Sequence, residues 1–163
     1  MSEAGLVKTG VRGLDSIFMG GIPRTNVTVV QGVTGSGKTL MGLEFIYRGI
    51  TEYNEPGLIV MFETSPAKVI RDAAGFGWNL EELQQQKKLQ IIFTSPQVFD
   101  QELRSPDSLL LETAREMGAQ RIFVDGVGLL NTDLIDSNSV HRSYRELLQQ
   151  LIESLNRENL TAM

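Results

Sequence analysis

Eight residues constrain this chain more than any others: Gly32-Val33-Thr34-Gly35-Ser36-Gly37-Lys38-Thr39, a G-x-x-x-x-G-K-[ST] stretch. Such a loop cradles a phosphate chain when a strand leads into it and a helix leads out. Its glycines let backbone N–H groups approach phosphate oxygens with no Cβ in the way. Lys38 can set an ammonium against the β- and γ-phosphates, and the Thr39 hydroxyl can ligate Mg²⁺. The helix that begins here points its positive end at the same anion.

The flanks supply the required context. Asn26-Val27-Thr28-Val29-Val30-Gln31 is a short β-branched run, which reads as a buried strand. From Lys38 to Tyr53 the apolar residues Leu40, Leu43, Ile46, Tyr47 and Ile50 recur at helical spacing. The stretch is therefore read as a nucleotide site, not as a plain glycine-rich turn.

Bulk properties narrow the rest. A length of 163 residues suits one domain, residues 1–163, with a real core. Hydrophobic content of 41% and charged content of 21% place the chain among soluble globular proteins. No apolar run approaches the roughly 18 residues that span a bilayer. Met1-Ser2-Glu3-Ala4-Gly5 lacks the basic and apolar regions of a signal peptide. With no cysteine there is no disulfide framework, thiolate metal site or cysteine nucleophile. These features fit a cytoplasmic protein with no membrane partner. A formal charge of −5 argues against a surface that coats nucleic acid. The one histidine, His141, rules out a histidine-based metal centre and reads as a solvated surface residue.

Along the chain, strands and helices alternate. Gly10 to Pro23 reads as a short helix ended by Gly20-Gly21, with Leu14, Ile17 and Phe18 on one face. Asn54-Glu55-Pro56-Gly57 stops the P-loop helix. Leu58 to Phe62 follows as an apolar strand of the kind buried on both faces of a parallel sheet. Ser65 can cap the next helix, with Pro66 at its first position, and that helix ends near Gly75-Phe76-Gly77-Trp78. Asn79 caps a short helix through Leu83, and Leu89 to Phe93 makes another strand. Ser105-Pro106-Asp107 opens a helix carrying Leu109, Leu110, Leu111 and Met117, closed by Gly118. Arg121 to Asp125 is a strand hydrophobic up to its terminal aspartate. A polar loop over 131–139 precedes an amphipathic helix with Tyr144, Leu147, Leu148, Leu151, Ile152 and Leu155. Leu160-Thr161-Ala162-Met163 reads as the first residues of one more strand, so the sheet is expected to lack its last strands. The alternation predicts an α/β fold, three layers around a mainly parallel sheet.

Ligands of such sheets bind beyond the carboxyl ends of the strands. Asp125, after Ile122-Phe123-Val124, has the Walker B pattern and can hold Mg²⁺ opposite Thr39. Glu63, at the tip of the strand after the P-loop helix, can orient and deprotonate an attacking water if that strand neighbours the central one. Lys8, Arg12 and Arg24 read as solvated surface charges, and Trp78 as a packing residue.

In combination these stretches resemble the KaiC-like branch of the RecA-type ATPases. The matching residues are Gly13-Leu14-Asp15, Gly20-Gly21-Ile22-Pro23, the P-loop, Leu43-Glu44-Phe45 and the Gly49-to-Gly57 turn. Phe62-Glu63, Phe76-Gly77-Trp78 and Arg121-to-Asp125 continue the match, so the resemblance covers nearly the whole chain. It implies ATP and Mg²⁺ as cofactors, with Gly35, Ser36, Gly37, Lys38, Thr39 and Leu40 as the triphosphate cradle. It makes Thr39 and Asp125 the metal partners and Glu63, with Lys38, the catalytic pair of an ATP hydrolase acting as a regulatory switch. It also implies a homo-oligomer, a hexameric ring in the family, and leaves room for a regulatory protein partner. Two departures stand out: the family's clock members carry two adjacent glutamates where this chain has Glu63-Thr64, and Gly126 follows Asp125 where a serine is common. A DNA-recombination ATPase of the RecA type and a nucleotide-binding scaffold with little turnover are the alternative readings. The acidic balance and Phe76-Gly77-Trp78 favour the KaiC-like one.

Overall fold

The computed structural model describes residues 5–131 and 144–163. The chain enters through a two-residue antiparallel ladder of β1 (Leu6–Val7) and β2 (Ile22–Pro23), which brackets the single-turn helix α1 (Leu14–Ile17). Hydrogen bonds fix this entry: the N–H and hydroxyl of Thr9 both donate to Asp15 Oδ1, at 2.7 and 2.8 Å. The apolar face expected for α1 is only partly used. Leu14 packs on the core, whereas Ile17 is 74% exposed, because one helical turn has room for a single inward residue.

After α2 (Lys38–Tyr53), four strands form a parallel sheet: β3 (Gly57–Met61), β4 (Leu89–Phe93), β5 (Arg121–Asp125) and β6 (Thr161–Ala162). Their spatial order is β4-β3-β5-β6. The register sets Met61 beside Phe93 on one side and beside Asp125 on the other. Every residue of β3 is buried, as its unbroken apolar run requires. Its alternation feeds two cores. Ile59 and Met61 pack with Phe45, Ile46 and Val69, while Leu58 and Val60 pack with Phe99, Leu111 and Leu155. Each fully buried aliphatic side chain contributes roughly 1.5–3 kcal/mol.

The first core lies under α2, α3 (Pro66–Ala74) and α4 (Leu80–Gln85). The second lies under α5 (Pro96–Arg104), α6 (Leu109–Glu116) and α7 (Tyr144–Arg157). The result is the expected α/β/α sandwich. Helix starts follow their caps: Ser65 and Asn79 accept from the N–H groups of Lys68 and Glu82. No helix of the described residues is long and apolar enough to cross a membrane.

Three expectations need correction. Asn26 to Gln31 is extended but not a full strand. Val27 bridges Ala162 and the Thr28 N–H donates to the Ala162 carbonyl at 2.9 Å, but among the described residues the run forms no ladder beyond that single bridge. Ser105-Pro106-Asp107 does not open a helix. Ser108 is the cap, its hydroxyl accepting from Leu111 N–H, and the preceding turn leads out of α5, whose Ser95-Pro96 start repeats the Ser65-Pro66 signal. The loop expected over 131–139 and His141 lie, but for Asn131, outside the described residues; Asn131 ends a 3₁₀ turn, Val127–Asn131.

The third correction concerns Arg24, which is not a free surface charge. Its guanidinium donates to Glu55 Oε1 at 2.7 Å and to Gln120 Oε1 at 3.0 Å. The other Glu55 oxygen accepts from Nε of Arg121, also at 2.7 Å. Arg121 is fully buried, donates to the Phe45 carbonyl and lies under the rings of Phe45 and Tyr53. Burial pulls its pKa below the ordinary arginine value, against the opposing pull of Glu55. This cluster closes the amino ends of the strands, leaving the carboxyl ends for chemistry.

Candidate nucleotide site

At the carboxyl ends of β3 and β5 a groove of about 600 Å³ runs from the P-loop to α3. The P-loop turns at Gly37, whose φ of 88° suits glycine and delivers the chain into α2. At Gly32 the backbone passes close to a side chain: a Cβ there would meet Ser36 Oγ at 2.7 Å, so the hydroxyl would have to turn away.

The N-terminus of α2 differs from those of its neighbours. Helices α3 to α6 are each capped by a side chain, Ser65, Asn79, Ser95 and Ser108 respectively. Helix α2 has no side-chain cap and no acidic residue in its first turn. Its leading N–H groups are therefore left for an anion, and no local carboxylate competes for them. Lys38 Nζ is held over the same loop by the carbonyls of Gly32 and Val33, at 2.8 and 2.9 Å. Gly35, Ser36, Gly37, Lys38, Thr39 and Leu40, the residues expected to hold phosphate, form this loop and the first turn of α2.

The two carboxylates arrive from adjacent strands. Asp125 ends β5, and its Oδ2 accepts a hydrogen bond from Thr39 Oγ1 at 2.9 Å. Glu63 lies two residues beyond β3, exposed, and lines the same groove. Because β3 pairs directly with β5, Glu63 and Asp125 follow adjacent strands at one edge of the sheet. Among the described residues no group of three or more His, Cys, Asp or Glu could hold a metal by itself. A hydroxyl beside one carboxylate instead suits Mg²⁺, which keeps waters and shares phosphate oxygens.

Sequence reasoning missed the groove's far wall. Lys68, Val69, Asp72, Ala73 and Phe76 come from one side of α3 and the turn after it. Their i, i+3, i+4 spacing was the available signal. Phe76, 58% exposed, stacks on Trp78 at 5.3 Å between ring centroids, and Trp78 stacks on Tyr47 at 5.5 Å. Trp78 itself is buried, as its reading as a packing residue requires. Asp72 is held below the usual carboxylate range by hydrogen bonds from Lys68 and Arg71. Lys8 and Arg12 are exposed, and neither lines the groove.

A parallel α/β sandwich with a P-loop ahead of α2 and an aspartate ending the neighbouring strand defines a P-loop ATPase fold of the RecA type. A family model described as "ATPase: KaiC" matches residues 7–163, and the chain belongs to that family. The circadian clock oscillator protein KaiC of Thermostichus vulcanus is 41% identical over 132 residues, 77% of this chain and 26% of that one. The circadian clock protein KaiC2 of a Synechocystis species is 36% identical over 151 residues, 88% of this chain and 26% of that one. The crystal structure of the KaiC-like protein PH0186 from Pyrococcus horikoshii OT3 superposes with a TM-score of 0.80 at 29% identity, covering 96% of this chain and 68% of that one. The chain thus spans about a quarter of the length of these curated relatives.

Proposed function

We propose that this chain binds ATP with Mg²⁺ in the groove at the carboxyl ends of β3 and β5 and hydrolyses it as part of a regulatory switch. The observation that carries the reading is the bare N-terminus of α2, with Lys38 on it and Asp125 and Glu63 facing it across one groove. The N–H groups of the cradle and the Lys38 ammonium take the β- and γ-phosphates. Thr39 and Asp125 hold Mg²⁺, which when bound neutralises charge on the phosphate oxygens. Glu63 accepts a proton from a water whose oxygen bonds the γ-phosphorus, while the bond from that phosphorus to the β–γ bridging oxygen breaks and ADP leaves with that oxygen. Phe76 offers the nucleobase an aromatic face.

Residues 1–163 are read as part of one ATPase domain acting in the cytoplasm. Homo-oligomerisation into a ring and a regulatory protein partner complete the reading, by analogy with the family to which the chain belongs.

Calorimetric titration with Mg–ATP and a phosphate-release assay test it together. Lys38→Ala is expected to abolish measurable binding. Glu63→Gln is expected to keep binding and slow turnover by about 10²–10⁴-fold. Equal turnover in Glu63→Gln and the unmodified chain would remove Glu63 as base. Stimulation by single-stranded DNA would move the assignment to a recombination ATPase, and binding without hydrolysis to a scaffold.

A further inference from the structure

Among the described residues three carboxylates line the groove, and the nucleotide reading employs two of them, Glu63 and Asp125. The third, Asp72, stands on α3 four residues after Lys68 and four before Phe76. Lys68 Nζ donates to Asp72 Oδ2 at 2.7 Å, and the Arg71 guanidinium donates to Oδ1 at 3.2 and 3.3 Å. These bonds favour the ionised carboxylate. As a feature of the helix alone, the pair is set the wrong way round. Lys68 lies in the first turn of α3 and Asp72 in the last, so each charge sits at the end of the helix dipole that repels it. Lysine before acid is also the weaker order for an i, i+4 pair. Helix stability does not account for this arrangement, whereas a ligand in the groove does.

We infer that Asp72 reads the sugar of the bound nucleotide, accepting hydrogen bonds from the ribose 2′- and 3′-hydroxyls. The inference rests on the nucleotide reading above and names a specificity residue for that same site. The order of groups along α3 carries it. Glu63 and Thr64, at the phosphate end, lead through Ser65 into α3, whose first charged residue is Lys68. At about 1.5 Å of rise per residue, Asp72 lies about 6 Å further along and Phe76 about 12 Å. A nucleotide laid along this wall from its γ-phosphate meets cation, carboxylate and ring with its phosphates, sugar and base in that order. An ionised carboxylate only accepts hydrogen bonds, so it suits hydroxyl donors and offers nothing to a sugar that lacks them. Alone it would repel the triphosphate, but Lys68 and Arg71 offset its charge. They also leave it room, since two oxygens provide about four acceptor positions and the side chain remains 44% exposed.

Calorimetric titration of the whole chain with the Mg²⁺ complexes of ATP, 2′-deoxy-ATP and 3′-deoxy-ATP tests the assignment. The three carry the same charge and the same base, so their ratios cancel every effect except that of the sugar. The unmodified chain is expected to bind ATP about ten-fold more tightly than either deoxy analogue. Asp72→Ala, with circular dichroism unchanged, is expected to bring both ratios close to one. Asp72→Asn keeps the shape and loses the charge, and should shrink the ratios in the same direction. Tight binding that ignores the sugar overturns this assignment and leaves the nucleotide reading standing. So does a preference for ribose that survives Asp72→Ala, or a loss shared equally by all three nucleotides. Failure of all three to bind the unmodified chain overturns the nucleotide reading and this assignment with it.

Discussion

The Thr39 hydroxyl donates to a carboxylate oxygen of Asp125 across 2.9 Å, joining the first turn of α2 to the end of a strand 86 residues further along the chain. The two groups that the nucleotide reading assigns to one metal ion already touch. Asp125→Asn keeps the shape and removes the charge. A hydrogen bond to a charged group is worth about 1.5–3 kcal/mol, so affinity for Mg–ATP should fall at least about ten-fold. Titration with ATP in EDTA should show a much smaller difference, and an equal loss there would sever the residue from the metal.

Glu55 is the partner on which the buried charge of Arg121 depends. Removing one member of a buried pair costs about 3–5 kcal/mol, because the other charge stays inside. Glu55→Ala should therefore lower Tm by about 6–20 °C for a chain of this size. Arg24→Ala, whose side chain is more than a third exposed, should cost under about 1 kcal/mol. Thermal unfolding followed by circular dichroism ranks the two.

Gly42 sits inside α2, where alanine would ordinarily add about 1 kcal/mol of helix propensity. Here a Cβ would meet the ring of Phe123 at 2.1 Å. Overpacking of that kind costs about 1–3 kcal/mol, so Gly42→Ala should destabilise the protein in urea titration. A net gain would show that the ring moves aside freely.

Arg115 donates to both carboxylate oxygens of Glu158, at 2.7 and 2.8 Å, and holds its pKa below the usual glutamate value. A depressed folded pKa stabilises the fold fully above the unfolded value of about 4.3 and loses that effect as pH falls through the folded one. The stability gap between the unmodified chain and Glu158→Gln should thus be widest near neutral pH and close in acid. A gap that widens on acidification would reverse the sign.

What could be read from the residues divides by range. The P-loop, the Ser65 and Asn79 caps and the apolar run of β3 are local signals, and each stands where its residues place it. The placement of Asp125 and Glu63 beside one groove was legible because strand ends share an edge in a parallel sheet. Arg24 was not, since its partners lie 31 and 96 residues away and no local pattern announces them. Asn26 to Gln31 has strand composition, yet a strand needs a paired neighbour, and the run makes a single bridge, Val27 with Ala162. Helix α5 was missed although Ser95-Pro96 carries the same start signal as Ser65-Pro66. Phe76 required the placement of α3 against α2, which spacing alone does not provide.

The stack of Tyr47, Trp78 and Phe76 has one more consequence. Trp78 is the chain's one tryptophan, and a single aromatic ring separates it from the groove. If the groove takes a nucleotide as proposed, the indole lies one residue's thickness from it, and its emission is expected to change with occupancy without any added label.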